Sequence, residues 1–261
     1  MERIKAFITL MRVRYTAQVV CIVVLLSLKS GGVSSQSMFA IASFLFLSIA
    51  LFCVDDAYDH IGDLIIHPKR PIPREIFTVN QVYLIGAILF CFGTLSVLSL
   101  MTHQIILYFI AAVLGFSVVI LKLSSIWKAT LTASMIFILF PFSTDIHLKT
   151  FLFGLMVSLP HFAGSISKDF IHWAGDEKIG LEHPKEWLRY LASFTFFINS
   201  LIILTPIILN IVPWSYFPMS LPTIVSCLVL GKKILNKEYQ KVYIWGGIGM
   251  ISSLLFISIN I

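Results

Sequence analysis

The sequence predicts an all-α integral membrane protein, with about nine transmembrane helices around a central cavity capped by cytoplasmic loops. Three observations lead there. The 261 residues are 58% hydrophobic and 12% charged, about half the charged share of an ordinary soluble domain. The apolar residues gather in runs near the ~20 residues a spanning helix needs. The basic residues fall almost wholly on one side of those runs.

The runs justify the helices in order. The first, 13–28, follows a basic stretch holding Arg3, Lys5, Arg12 and Arg14. No small-residue cleavage site follows it, so it is expected to stay as an anchor. The second, 38–54, ends in four aspartates. Then come 79–101, 105–121 and the shorter 129–143. The sixth, 150–167, leads into a second acidic stretch. The last three are 190–211, 216–230, which contains Pro218 and Pro222, and 242–261. Nothing divides the chain, so a single transmembrane domain over 1–261 is expected.

With the N-terminus on one side, the same-side segments are 1–14, 55–78, 122–128, 168–189 and 231–241. They hold 17 of the 19 Lys and Arg residues, leaving Lys29 and Lys149 opposite. This asymmetry puts the N-terminus in the cytoplasm and, with nine spans, the C-terminus outside. It also accounts for the formal charge of +6 with the lipid bilayer as partner and no nucleic acid. Cys21, Cys53, Cys91 and Cys227 are far apart and form no CxxC pair. They read as small buried hydrophobes.

Of the 13 carboxylates only Asp145 falls in an outer loop. Most lie in 55–75 and 169–186, the longest polar stretches. If the second helix continues past Asp55, then Asp56, Asp59 and Asp63 share one face at i, i+3 and i+7. Like charges so spaced repel unless a cation sits among them. A hard divalent ion such as Mg²⁺ takes oxygen ligands and keeps room for water or phosphate oxygens. Asp169, His172 and Asp176 repeat the spacing, 113 residues later at each position. A His-Pro-Lys follows each set, at 67–69 and 183–185. The repetition suggests a duplicated helical unit with two acidic faces converging on one cavity. The plain alternative is an acidic, solvated loop.

Basic residues stand near both sets: Lys69, Arg70 and Arg74 after the first, Lys168 and Lys178 around the second, and Lys122 and Lys128 in the loop between the fourth and fifth runs. Metal with Lys and Arg is what holds a diphosphate and steadies it as it departs. Each lysine alone is equally explained by the cytoplasmic excess of positive charge.

These residues resemble the UbiA superfamily of intramembrane prenyltransferases. "DDAYDHIGDLIIHPKRPIP" is similar to its first signature, NDxxDxxxD followed by Arg-Pro-Ile-Pro. Asp56, Asp59, Asp63 and Arg70-Pro71-Ile72-Pro73 match. "KDFIHWAGDEKIG" is similar to the second, KDxxDxxGDxxxG, at Lys168, Asp169, Gly175, Asp176 and Gly180. "LSSIWK" is similar to YSxxxK, at Ser124 and Lys128. The resemblance implies an isoprenyl diphosphate substrate and two Mg²⁺ ions held by Asp56, Asp59, Asp63, Asp169 and Asp176. It implies ionisation of the C–O bond and attack of an acceptor on the allylic cation. Asp56, Asp59, Asp63, Asp169, His172 and Asp176 would then be catalytic, and Arg70, Lys69, Lys122, Lys128 and Lys168 would bind the diphosphate.

Four departures mark a divergent member: Asp55 for the leading Asn, His172 for the middle aspartate of the second signature, Leu123 for the tyrosine, and Arg74-Glu75 for Ser-Gly. His172 is open to three roles: general base, diphosphate partner, or a group that orients Asp169 or Asp176. A membrane terpene cyclase and a polyprenyl-phosphate phosphoribosyltransferase stay open as alternatives. So does a transporter with a cation site. His161 reads as a cavity lining or a packing residue. Arg12 and Arg14 resemble a basic residue of the family, though anchoring to anionic lipid suffices to explain them.

Overall fold

The computed structural model describes residues 2–121, 123–145, 147–176, 184–239 and 242–260. Every regular element among them is helical. They fall into two compact units, one up to residue 121 and one from Leu123 onward.

The first unit begins with α1 (Glu2–Leu10) and α2 (Val13–Gly31), which meet at a bend of 54°. Arg12 sits at the bend with φ 43° and ψ 54°, in the left-handed region. α3 (Ser35–Tyr58) starts at a capping box in which Ser34 and Ser37 satisfy each other's backbone N–H groups. Such reciprocal caps serve donors that helix starts leave orphaned. A short α4 (His60–Ile66) follows, then α5 (Val79–Val97), capped in the same way by Thr78 and Gln81, and α6 (Thr102–Ile120).

α3 is the hub of this unit and packs on α2, α5 and α6. Small residues let α3 and α5 approach. A Cβ at Gly86 would lie 3.3 Å from Cys53 Cβ, and one at Gly93 would lie 3.0 Å from the Ser43 carbonyl. The large side chains face outward instead, as with Leu84, Ile88, Phe92 and Leu95 on α5. Lipid is as apolar as leucine, so close backbone packing rather than burial of large side chains holds such helices together.

The second unit comprises α7 (Ser125–Ser143), α8 (Leu148–Asp176), α9 (Glu186–Ile208), a 3₁₀ turn (Trp214–Tyr216) leading into α10 (Phe217–Leu235), and α11 (Val242–Asn260). Sequential helices pack on one another, and α11 also touches α8. Arg189, 7% exposed, joins the start of α9 to the end of α10. It donates to Glu186 at 2.7 Å and to the Leu235 carbonyl.

Each of the nine expected runs lies largely within one helix. Among the described residues seven helices are long and apolar enough to cross a membrane, or eight if the bent α1–α2 pair is one span. The apolar part of α11, Ile244–Ile259, is shorter. The chain is an integral membrane protein. Pro218 falls in the first turn of α10, where a missing N–H costs nothing, and Pro222 lies inside the same helix. The cysteine expectation holds in part: Cys53 and Cys227 are buried, but Cys21 and Cys91 are exposed. They lie on apolar helices, where a small weakly polar side chain is as tolerable toward lipid as in a core.

Candidate functional site

The chain after α4 is fixed by turns and by docking. His67 N–H donates to Asp63 O at 2.9 Å, closing α4, and Arg70 N–H donates to His67 O at 2.9 Å. Ile76 N–H reaches back to Pro71 O at 3.0 Å. Pro68, Pro71 and Pro73 hold their φ angles by their rings. Pro71 is buried. Ile72 and Phe77 pack against the core of Leu10, Ile49, Cys53, Ala57 and Val82. The anchored Pro71-Ile72 leaves Arg70 beside the end of α3. Its Nη1 donates to Asp63 Oδ2 at 2.5 Å and to Asp56 Oδ1 at 3.2 Å.

α3 does not run unbroken through the first acidic set. It ends at Tyr58, and Asp59 (φ −86°, ψ 9°) joins it to α4. Asp59 N–H still donates to Asp55 O, and Asp63 N–H to Asp59 O, both at 2.9 Å. The spacing therefore survives for Asp56 and Asp63, which meet the same guanidinium, while Asp59 is exposed.

Asp56 and Asp63 are 3% and 4% exposed. Carboxylates so deeply buried must be paired. The second cation is Arg12, whose Nη2 pairs with Asp55 Oδ2 at 2.7 Å and with Asp56 Oδ1. Its guanidinium lies 5.1 Å from the centre of the Phe52 ring. Lipid anchoring thus does not describe Arg12: its partners are aspartates, because the bend between α1 and α2 brings it to the end of α3. Asp55, a departure from the family signature, acquires a partner by the same contact. Burial raises the Asp63 pKa above the ordinary carboxylate value, against the opposing pull of Arg70.

Lys69 is exposed. With Arg70, Thr9, His67 and Pro68 it lines a cavity of about 360 Å³. In the second unit, α8 runs without a break through Asp176, so Asp169, His172 and Asp176 keep their shared helical register. Asp169 is half-buried and Lys168 exposed. Phe170 stacks on Tyr239 with centroids 6.1 Å apart. Lys128 is half-buried on the first turn of α7. Lys122 lies outside the described residues, as do the side chains of His172 and Asp176. His161 is half-buried.

Among the described residues no three His, Cys, Asp or Glu side chains are gathered as a metal would need. The donor chemistry nevertheless fits Mg²⁺, which is held by one or two carboxylates with water and substrate phosphates completing its shell. Asp56 and Asp63 are two buried all-oxygen donors that already share one cation, the Arg70 guanidinium. Phe52 carries no signal in the sequence. Arg12 resembles a basic residue of the family, but nothing local ties it to Asp56, 44 positions away.

No family model and no curated protein match the sequence. Solved structures do match the fold. A digeranylgeranylglyceryl phosphate synthase superposes with a TM-score of 0.77 at 18% identity, over 100% of both chains. A UbiA homologue from Archaeoglobus fulgidus, solved bound to GPP and Mg²⁺, gives 0.71 at 12% identity, over 97% of this chain and 99% of its own. The apo structure of a UbiA homologue from Aeropyrum pernix K1 gives 0.74 at 10% identity, over 95% and 98%. The chain has the fold of the UbiA homologues, the superfamily its acidic signatures resemble.

Proposed function

We propose that this chain is a divergent UbiA-type intramembrane prenyltransferase. It moves an isoprenyl group from an isoprenyl diphosphate to a lipid-soluble or interfacial acceptor. The observation that carries this reading is the buried pairing of Asp56 and Asp63 through Arg70, next to a cavity lined by Lys69 and Arg70. Solved proteins of the same fold, one of them bound to GPP and Mg²⁺, support it.

Asp56, Asp59 and Asp63 would hold one Mg²⁺, and Asp169 and Asp176 a second; bound there, the metal neutralises the diphosphate and stabilises it as a leaving group. Arg70 and Lys69, with Lys122, Lys128 and Lys168, bind diphosphate oxygens. Arginine suits this because its planar fork meets two oxygens at once. The bond between C1 of the isoprenyl chain and the diphosphate oxygen breaks, and its electron pair leaves with the diphosphate. A nucleophilic atom of the acceptor bonds to C1 and gives up a proton. His172 is a candidate to take that proton, since an imidazole near pKa 6.5 accepts one at neutral pH. The N-terminus and both acidic motifs face the cytoplasm and the C-terminus faces outside, following the basic residues.

The departure at His172 favours a second reading, a terpene cyclase of the same superfamily, in which the substrate's own double bond attacks the cation. A product profile decides. Purified protein is given geranylgeranyl diphosphate and Mg²⁺, with and without candidate acceptors. Prenylated acceptor supports transfer; a cyclic hydrocarbon or alcohol formed without acceptor overturns transfer in favour of cyclisation. Turnover that requires a phosphoribosyl diphosphate donor overturns both.

A further inference from the structure

We propose that Arg12 is a positioning residue that couples divalent-metal binding to diphosphate binding. It holds the carboxylates of the first motif when no diphosphate is bound and releases them when one arrives. This rests on the function proposed above and gives a role to a residue outside both signatures.

The geometry carries it in three steps. First, Arg12 is placed, not loosely tethered. It stands between two helices in the left-handed backbone region, which a non-glycine residue occupies only when its surroundings hold it there. Its own backbone is tied on both sides: Arg12 N–H donates to Thr9 O at 3.1 Å, and Tyr15 N–H donates to Arg12 O at 2.8 Å. The side chain is 15% exposed and its guanidinium lies over Phe52. Second, it competes for the oxygens a metal would use. Asp56 Oδ1 accepts from both Arg12 and Arg70, and Asp55 Oδ2 accepts from Arg12 at 2.7 Å. A divalent ion at Asp56 must therefore enter against a cation already in contact with its ligand. Third, an alternative partner for Arg12 has room nearby. The cavity of about 360 Å³ is lined by Thr9, one helical turn before Arg12, and by Arg70, which shares Asp56 with it. A diphosphate there offers oxygens that a guanidinium binds in pairs, so Arg12 can leave the aspartates without being left unpaired. Metal and diphosphate then each favour the other's binding, and the coupling is reciprocal.

The test measures binding, not turnover. Mn²⁺ serves as the metal probe, followed by electron paramagnetic resonance on the full-length detergent-solubilised protein. Methylenediphosphonate serves as the diphosphate probe. In the wild type, methylenediphosphonate is expected to tighten Mn²⁺ binding about tenfold, within the usual range of coupling. Arg12→Gln is expected to bind Mn²⁺ about tenfold more tightly than wild type without diphosphonate, and to gain less than wild type does when it is added, keeping only the direct attraction of metal and diphosphate. Arg12→Lys keeps the charge and should restore part of the coupling. Phe52→Leu removes the ring under the guanidinium and should shift binding in the same direction as Arg12→Gln, but less. It reads the same quantity if Arg12→Gln does not fold. Unchanged or weaker Mn²⁺ binding in Arg12→Gln or Phe52→Leu, with wild-type coupling intact, overturns the role of Arg12 alone. No Mn²⁺ binding by wild type or any variant, with or without diphosphonate, overturns the metal platform as well.

Discussion

Replacing Arg70 by alanine should cost stability in a way that depends on pH. Arg70 gives Asp63 a contact at 2.5 Å and Asp56 one at 3.2 Å. Asp56 keeps Arg12 when Arg70 goes. Asp63, 4% exposed, loses its partner in this network. Leaving a buried charge without its partner costs about 3–5 kcal/mol. At roughly 2–4 °C per kcal/mol for a chain of this size, the melting temperature should fall by about 6–20 °C. The loop itself should stay docked, since Ile72 packs on the core independently of the guanidinium. Burial already raises the folded-state pKa of Asp63, and Arg70 opposes that rise. Its removal raises the pKa further. A carboxyl whose folded-state pKa is raised binds its proton more tightly in the folded state than in the unfolded one. The penalty is therefore absent below the ordinary carboxylate pKa. It grows as pH climbs and is complete above the folded-state value. Thermal unfolding in detergent should show a wide gap between wild type and Arg70→Ala near pH 8, narrowing toward about pH 5. Equal melting temperatures at every pH would refute the pairing of Arg70 with a buried, ionised Asp63.

Asp56→Ala and Asp176→Ala should each abolish turnover, a loss of about 10²-fold or more, while both proteins remain extractable and folded; full activity in either would remove that residue from the site. Asp56→Ala should be milder than Arg70→Ala in unfolding assays, because Arg12 keeps Asp55 and Arg70 keeps Asp63. Gly93→Ala should destabilise by about 1–3 kcal/mol through overpacking, since the added Cβ would sit 2.6 Å from Tyr108 Oη and 3.0 Å from the Ser43 carbonyl. A melting temperature equal to wild type would show that α3 and α5 can part at no cost. Arg189→Gln should cost about 1 kcal/mol, the usual net worth of a hydrogen bond to a part-buried acceptor, and should speed hydrogen exchange at the end of α10. Unchanged exchange there would show that the Leu235 carbonyl does not depend on Arg189.

The helices were legible because membrane physics writes itself into composition. Apolar runs marked nine segments, each of which lies largely within a helix of the described residues, while the short α1 and α4 carry no such run. Asp56, Asp63 and Arg70 were legible because acidic residues at i and i+7, followed by a proline-braced arginine, form a local pattern. The break at Asp59 was not, since no proline or glycine stands at the junction. It separates exposed Asp59 from its two buried companions. The pairing of Arg12 was not legible for a different reason. A basic residue before a first span is already explained by charge asymmetry, so its pairing with Asp55 and Asp56 left no separate trace. Arg189 was hidden likewise, counted as one more cytoplasmic charge although it is buried between α9 and α10.

If a metal held at the first acidic motif drives ionisation, loss of diphosphate from an isoprenyl diphosphate depends on that metal and on Asp56. The decisive measurement is diphosphate release from geranylgeranyl diphosphate by the purified protein, in the presence of candidate acceptors, followed with Mg²⁺ and again with EDTA. Release is expected with Mg²⁺, none with EDTA, and none from Asp56→Ala in either condition. Release that persists in EDTA, or that Asp56→Ala supports at the wild-type rate, would overturn that dependence.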